Sequence, residues 1–221
     1  VTDIALRNAA FSIDLPGQTM PRRYLALWFP YLATDRLRRM GRIPASGAPG
    51  ERPYALVEMQ GSALRLVDFD RCAVELGLTR GMTLADARAR IPHLVALEAE
   101  PQADCEFLEA VAAFCDRFTP LVALDEPHGL MLDVTGCAHL FGGEAGLGAL
   151  AARAMRRIGL EFKPAIAGPP EAARAYARHG RGGIVPPGQE EALLRLLPTA
   201  ALDAAAETVI ALSRAGLKTL A

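Results

Sequence analysis

The strongest constraint on the fold is the stretch Leu121-Val-Ala-Leu-Asp-Glu-Pro-His-Gly-Leu-Met-Leu-Asp-Val-Thr-Gly-Cys-Ala-His-Leu-Phe-Gly-Gly-Glu144. Leu121 to Leu124 is a short apolar run, Leu130 to Val134 is apolar except for Asp133, and Pro127 and Gly129 stand between them as turn residues. The segment therefore reads as two strands closing on a tight turn. Asp125 and Glu126 fall at the mouth of that hairpin, and Asp133 lies within its second strand. Carboxylates at strand ends are what a metal-dependent phosphoryl-transfer centre needs. They are equally what an ordinary solvated hairpin mouth carries.

The flanking segments fit an α+β architecture. Tyr24 to Phe29 is an apolar run closed by Pro30, the pattern of a buried strand. A helix is expected directly after it, over Tyr31 to Met40, with Leu32 and Leu37 on one face and Arg36, Arg38 and Arg39 in its second half, where the helix dipole favours cations. Gly41 to Pro53 reads as a connection, and Tyr54–Met59 with Leu64–Phe69 as a second hairpin. Asp70 is placed to cap a helix over Arg71–Leu76, and Thr83 with Asp86 to cap another over Leu84–Arg90. Phe107, Val111, Phe114 and Phe118 recur at helical spacing within Gln102–Phe118 and predict a core-facing stripe. A further helix over Gly146–Ile158 turns Leu147, Leu150, Ala154 and Ile158 inward and Arg153, Arg156 and Arg157 outward. Phe162–Ala167 reads as a strand, Glu171–His179 as a helix and Ile184–Val185 as a short edge strand. After a boundary at Pro186-Pro-Gly188 come two helical patterns, Glu190–Leu197 and Ala204–Arg214. Adjacent hairpins flanked by long helices predict a mixed sheet with helices on one face, rather than a doubly wound parallel sheet.

Composition removes several function classes. With 24 basic and 25 acidic side chains the formal net charge is −1, so overall charge supplies no pull toward nucleic acid or an anionic membrane. No apolar run reaches the roughly 20 residues of a membrane helix, and Val1 to Met20 has no signal-peptide pattern and reads as a loose leader. Cys72, Cys105, Cys115 and Cys137 are scattered without a C-x-x-C pair, as expected of free thiols in a reducing cytoplasm. His93, His128, His139 and His179 fall in separate elements, and no glycine-rich phosphate loop or G-x-S-x-G elbow is present.

Three longer segments carry a resemblance. Leu25-Ala-Leu-Trp-Phe-Pro-Tyr-Leu-Ala-Thr-Asp-Arg-Leu37, Gly77-Leu-Thr-Arg-Gly-Met-Thr-Leu-Ala-Asp-Ala87 with Pro92-His-Leu94, and Leu132-Asp-Val-Thr-Gly-Cys-Ala-His-Leu-Phe-Gly-Gly-Glu144 follow in order. Val185-Pro-Pro-Gly188 before Leu197-Pro198, and Glu207-Thr-Val with Gly216-Leu-Lys-Thr219, support them. From about Arg22 onward the chain resembles the Y-family translesion DNA polymerases, and within them the polymerase-like ImuB branch of the bacterial inducible mutagenesis (SOS mutasome) system. The resemblance implies a leader over 1–21, a palm over 22–37 and 93–185, fingers over 38–92 and the start of a thumb over 186–221, with a little finger and C-terminal regions beyond Ala221.

Active members of that family hold two divalent ions with one carboxylate on the first strand and an Asp-Glu pair ahead of Leu-Asp-Val-Thr. The resemblance puts Leu27 at the first-strand position, Phe29 at an acidic position two further on, and His128 and Gly129 at the Asp-Glu pair. Leu32 takes the place of the sugar-gate aromatic, Arg71 and Val74 those of the triphosphate-gripping Tyr and Arg, and Pro170 that of a triphosphate-gripping Lys. Leu and Phe offer Mg²⁺ no oxygen ligand. The expectation is therefore a non-catalytic adaptor in damage-induced, error-prone synthesis, without cofactor or metal. The alternative is an active Mg²⁺-dependent polymerase in which Asp125 and Glu126 form the pair by an insertion in the turn, and a third reading is a stand-alone damaged-DNA-binding module. Lys218, Arg36 and Arg39 are the candidate nucleic-acid contacts, while Asp203-Ala-Ala205 and Glu207 stand where relatives contact the primer backbone. The partners implied are the sliding clamp, the RecA-like ImuA and the DnaE-type polymerase ImuC, with the protein in the cytoplasm and at the nucleoid when recruited.

Overall fold

In a computed structural model that describes residues 21–45 and 52–221, the first strand, β1 (Tyr24–Trp28), lies in the middle of the larger sheet. It pairs antiparallel with β6 (Gly129–Asp133) on one side and β7 (Lys163–Ala167) on the other. β5 (Val122–Asp125) and β8 (Gly183–Ile184) complete a five-stranded sheet of order β5-β6-β1-β7-β8. The leader expected over 1–21, apart from Pro21, and the 46–51 part of the Gly41–Pro53 connection lie outside the described residues.

Strand alternation sorts the side chains of this sheet onto two faces. Leu25 and Leu27 of β1, Leu130 and Leu132 of β6 and Ile166 of β7 turn to one face, where α4 (Pro101–Cys115) and α5 (Gly143–Arg157) cover them. Ala26, Met131, Ala165 and Ala167 turn to the other, where α6 (Pro170–His179) lies on them through Ala172, Ala173 and Ala177. Small residues on both sides let this helix sit close to the sheet. The two long helices share one face as expected, and α6 is an addition on the second.

Two expected core stripes are rotated. α4 buries Leu108, Val111 and Cys115, with Phe118 just beyond it, whereas Phe107 and Phe114 are only half-buried at the edge of the cluster. α5 buries Leu147, Ala151 and Met155, and Leu150 is 42% exposed. The apolar side chains marked a helix in each case, but the buried face is turned toward Leu108 on α4 and toward Ala151 and Met155 on α5.

A second sheet has the order β3-β2-β4. β2 (Tyr54–Gln60) and β3 (Ala63–Phe69) form the expected hairpin, and β4 (Val95–Glu98), a strand that the sequence reading did not anticipate, pairs parallel to β2. The chain thus returns to the larger sheet only after Glu98. Both caps form as read: Asp70 accepts from the Ala73 N–H ahead of α2 (Arg71–Glu75), and Thr83 accepts from the Asp86 N–H ahead of α3 (Leu84–Arg90). α1 (Leu32–Arg39) joins the two sheets, with Leu32 in the larger core and Ala33 and Leu37 packed against Ile43 and Leu56 on the smaller sheet. α7 (Glu190–Leu194) and α8 (Ala206–Arg214) close the chain. Among the described residues no helix is long and apolar enough to cross a membrane.

Asp35 on α1 is 6% exposed and accepts from the Glu161 N–H at 2.9 Å, with Arg38 at 3.9 Å. Burial raises its pKa from 3.8 to about 6 despite that hydrogen bond. The folded state then binds this proton more tightly than the unfolded chain, so stability falls as pH rises from about 4 to about 6 and levels off above. Asp35→Asn, which keeps an acceptor for Glu161, is expected to flatten that slope and to raise stability at pH 7 by at most about 3 kcal/mol. Urea midpoints measured at intervals from pH 4 to pH 8 check this.

Candidate functional site

β1 delivers Leu27 and β6 delivers His128 and Gly129 to one end of the larger sheet. Leu27 opposes Leu130, Trp28 opposes Gly129, and the Phe29 N–H donates to the His128 carbonyl at 2.8 Å. This register keeps the resemblance's ungapped positions side by side, but their chemistry is that of a core. Leu27 is 1% exposed, and Phe29 and Leu32 are fully buried in the α4–α5 cluster. Each such side chain contributes roughly 1.5–3 kcal/mol by burial. Gly129 leaves no room for anything larger: a Cβ there would lie 2.9 Å from the Asp125 carbonyl oxygen and 3.0 Å from its carboxylate.

Asp125 and Glu126, the fallback pair, do not converge. Asp125 ends β5 opposite Gly129, and its carboxylate is held by α6: Arg174 Nε lies 2.8 Å from Oδ1 as a charge contact without hydrogen-bond alignment, and Arg178 Nη2 donates to Oδ2 at 3.1 Å. Arg178 also stacks over the Trp28 ring at 4.7 Å. Glu126 instead lines a cleft toward α4 with Cys105 and Leu108. Asp125 is the last residue of β5, whereas Glu126 already belongs to the turn that leads into β6, and this places the two carboxylates apart. Asp133 accepts from the Thr135 N–H at 2.9 Å, closing the turn that follows β6. Among the described residues no three His, Cys, Asp or Glu side chains are grouped to hold a metal ion. The residues present do not fit a two-ion centre: Leu27 and Phe29 offer no oxygen, Gly129 has no side chain, His128 is turned to Asp68, and Asp125 is ion-paired with arginine.

His128 is buried and forms a close contact instead, its Nε2 lying 3.0 Å from Asp68 Oδ2. Sequence reasoning marked this position as one that had lost a ligand and missed the partner, because Asp68 is 60 positions away on β3. The nucleotide-facing positions are likewise reassigned. Arg71 pairs with Glu161, which raises its pKa. Val74 is 40% exposed, and Pro170 opens α6.

The candidate nucleic-acid contacts separate. Arg36 is an internal residue: its Nε lies 2.6 Å from Asp104 and its Nη2 2.9 Å from Glu100, with the side chain 5% exposed. Burial raises the Asp104 pKa against the pull of Arg36. Arg39 donates to the Ile158 carbonyl at the end of α5, although its side chain is exposed. Lys218 is exposed beside Thr219, which bridges to Pro198. Asp203, in the segment expected to meet the primer backbone, adopts φ 54° and lies 3.7 Å from Arg174 and 3.5 Å from Arg178.

A palm-like sheet with a smaller sheet inserted after its first strand and helix is the architecture of a Y-family polymerase domain. It matches DinB from Sulfolobus solfataricus with a TM-score of 0.70 at 15% identity, over 89% of this chain and 58% of that one. It matches the insertion ternary complex of Dbh DNA polymerase with a TM-score of 0.69 at 14% identity and the same coverages. Residues 51–178 match the IMS family, described as impB/mucB/samB, and the chain belongs to that family. Protein ImuB of Caulobacter vibrioides (strain NA1000 / CB15N) is 42% identical over 143 residues, which are 64% of this chain and 31% of that protein. ImuB of a second strain, ATCC 19089 / CIP 103742 / CB 15, matches to the same extent. The matched region spans about a third, 31%, of the length of these curated relatives.

Leu27→Asp, which places a carboxylate on β1, is expected to destabilise the fold by about 3–5 kcal/mol, because it puts a charge in an apolar core without a partner. Leu27→Ala is expected to cost about 2–5 kcal/mol through the cavity it leaves. Chemical denaturation of both variants against the parent checks the two figures. A Leu27→Asp variant as stable as the parent would mean that the site had kept its polar character.

Proposed function

We propose that this chain is the polymerase-shaped part of a non-catalytic adaptor in error-prone translesion synthesis after DNA damage. The observation that carries the reading is Leu27. The side chain at the first-strand carboxylate position is 1% exposed within the α4–α5 core, where it has neither an oxygen to ligate Mg²⁺ nor access to a nucleotide. Gly129, with Asp125 against its Cα, and the two arginines on Asp125 support the same reading from the partner strand.

A protein of this shape that lacks the chemistry acts by assembly. The relationship to ImuB supports a role in a mutagenic complex in which a DnaE-type polymerase, ImuC, supplies nucleotide transfer, with the RecA-like ImuA and the sliding clamp as the other partners. It would work in the cytoplasm and join the nucleoid when recruited. Primer-template DNA is at most a weak ligand of this region, since Arg36 is neutralised internally and Asp203 and Glu207 are acidic where relatives meet phosphate.

The test is primer extension by the full-length protein with Mg²⁺ or Mn²⁺. No incorporation is expected from it alone, and an Asp125→Ala, Glu126→Ala double variant is expected to behave as the parent does. Incorporation that this double variant abolishes would establish an active polymerase. Tight, salt-sensitive binding of primer-template DNA by the isolated chain would favour a damaged-DNA-binding module instead.

A further inference from the structure

His128, at a lost metal position, has acquired partners on the smaller sheet. Its Nε2 lies 3.0 Å from Asp68 Oδ2, its Nδ1 lies 3.4 Å from Arg80 Nη2, and the same Arg80 nitrogen lies 3.4 Å from Asp68 Oδ1. A neutral imidazole protonated on Nε2 satisfies this arrangement, since it donates to Asp68 and accepts from Arg80. The His128 and Asp68 side chains are 8% and 7% exposed. The imidazole is fixed from its own side by an edge-on contact with Trp28 at 5.6 Å between ring centroids, and its carbonyl by the Phe29 N–H.

The smaller sheet is shaped to reach it. The β2–β3 register shifts between Leu56 and Val57, so that Leu56 opposes Asp68 while Val57 opposes Leu66. Val67 is the extra residue of this bulge. Leu66 and Phe69 pack into the cluster on the outer side of the sheet, whereas the consecutive residues Val67 and Asp68 both line the cleft toward the larger sheet. A regular strand would turn one of the two away, and re-aiming a side chain is what a bulge does.

The cleft has a volume of about 310 Å³ and is walled by Leu56, Val67 and Ala99 on one side and by Leu108, Pro127 and His128 on the other. Here the smaller sheet faces α4 and the turn before β6 across the cleft. Asp68, Arg80 and His128 all line it, whereas the Arg36–Asp104 and Arg71–Glu161 pairs each have at least one member outside it. We propose that Asp68, Arg80 and His128 form a clasp that sets the position of the smaller sheet against the larger one, so that opening it lets the smaller sheet swing away about α1. This role does not depend on whether the protein polymerises nucleotides.

Spin labels on Met59→Cys and Leu140→Cys test it in a background free of the four native cysteines, by pulsed distance measurement. Met59 is 61% exposed on β2, and Leu140 is 70% exposed on the turn before α5. The parent is expected to give one narrow distance distribution. Asp68→Ala and His128→Ala are each expected to widen and lengthen it by several ångströms, and the double variant to do no more than the larger single effect, since one clasp opens once. Distributions left unchanged by both single variants, or effects that add in the double variant, would overturn the proposal. If His128→Ala fails to fold, Asp68→Ala and the half-exposed Arg80→Met decide it by the same readout.

Discussion

The structure depends on the burial of β1. This strand is hydrogen-bonded along both edges and covered on both faces, so every side chain it carries must suit a packed interior. Leu25 and Leu27 fill the side under α4 and α5, and Ala26 admits α6 on the other. In a metal-dependent polymerase the same strand must end in a hydrated, charged centre. Here that end is closed by the buried side chains of Leu27 and Phe29 under α4 and α5.

The surrounding charges follow from this closure. Asp125 would be a costly half-buried anion, and Arg174 and Arg178 of α6 neutralise it. His128 is held by Asp68, and Arg36 by Asp104 and Glu100. These pairs join segments far apart in sequence: β5 to α6, the smaller sheet to the larger, and α1 to α4. Ionisable side chains at this end of the larger sheet thus tie elements of the fold to one another.

Much of the fold was legible in the chain. Both hairpins, the two capped helices and the six-residue apolar run fall where local pattern put them, because turn residues, caps and strand alternation act over a few positions. β4 was not legible, since Val95–Glu98 is short and is stabilised by pairing with a strand about 40 positions earlier. The faces of α4 and α5 likewise depend on distant contacts: Phe107 and Leu150 are strongly apolar, yet Leu108, Ala151 and Met155 are the side chains buried against the larger sheet. At the site, the apolar character of Leu27 and Phe29 was readable residue by residue, whereas the separation of Asp125, held by α6, from Glu126 in the turn depends on the tertiary structure.

By itself the sequence determined most of the elements, their order and the apolar side chains of β1, because these are properties of single residues and their near neighbours. Only the tertiary structure decided what surrounds them: a sealed core at Leu27, arginines on Asp125, and a bulge that turns Asp68 toward His128. Such pairings depend on how two sheets and three helices meet in space, and no local pattern in the chain encodes which charge will face which.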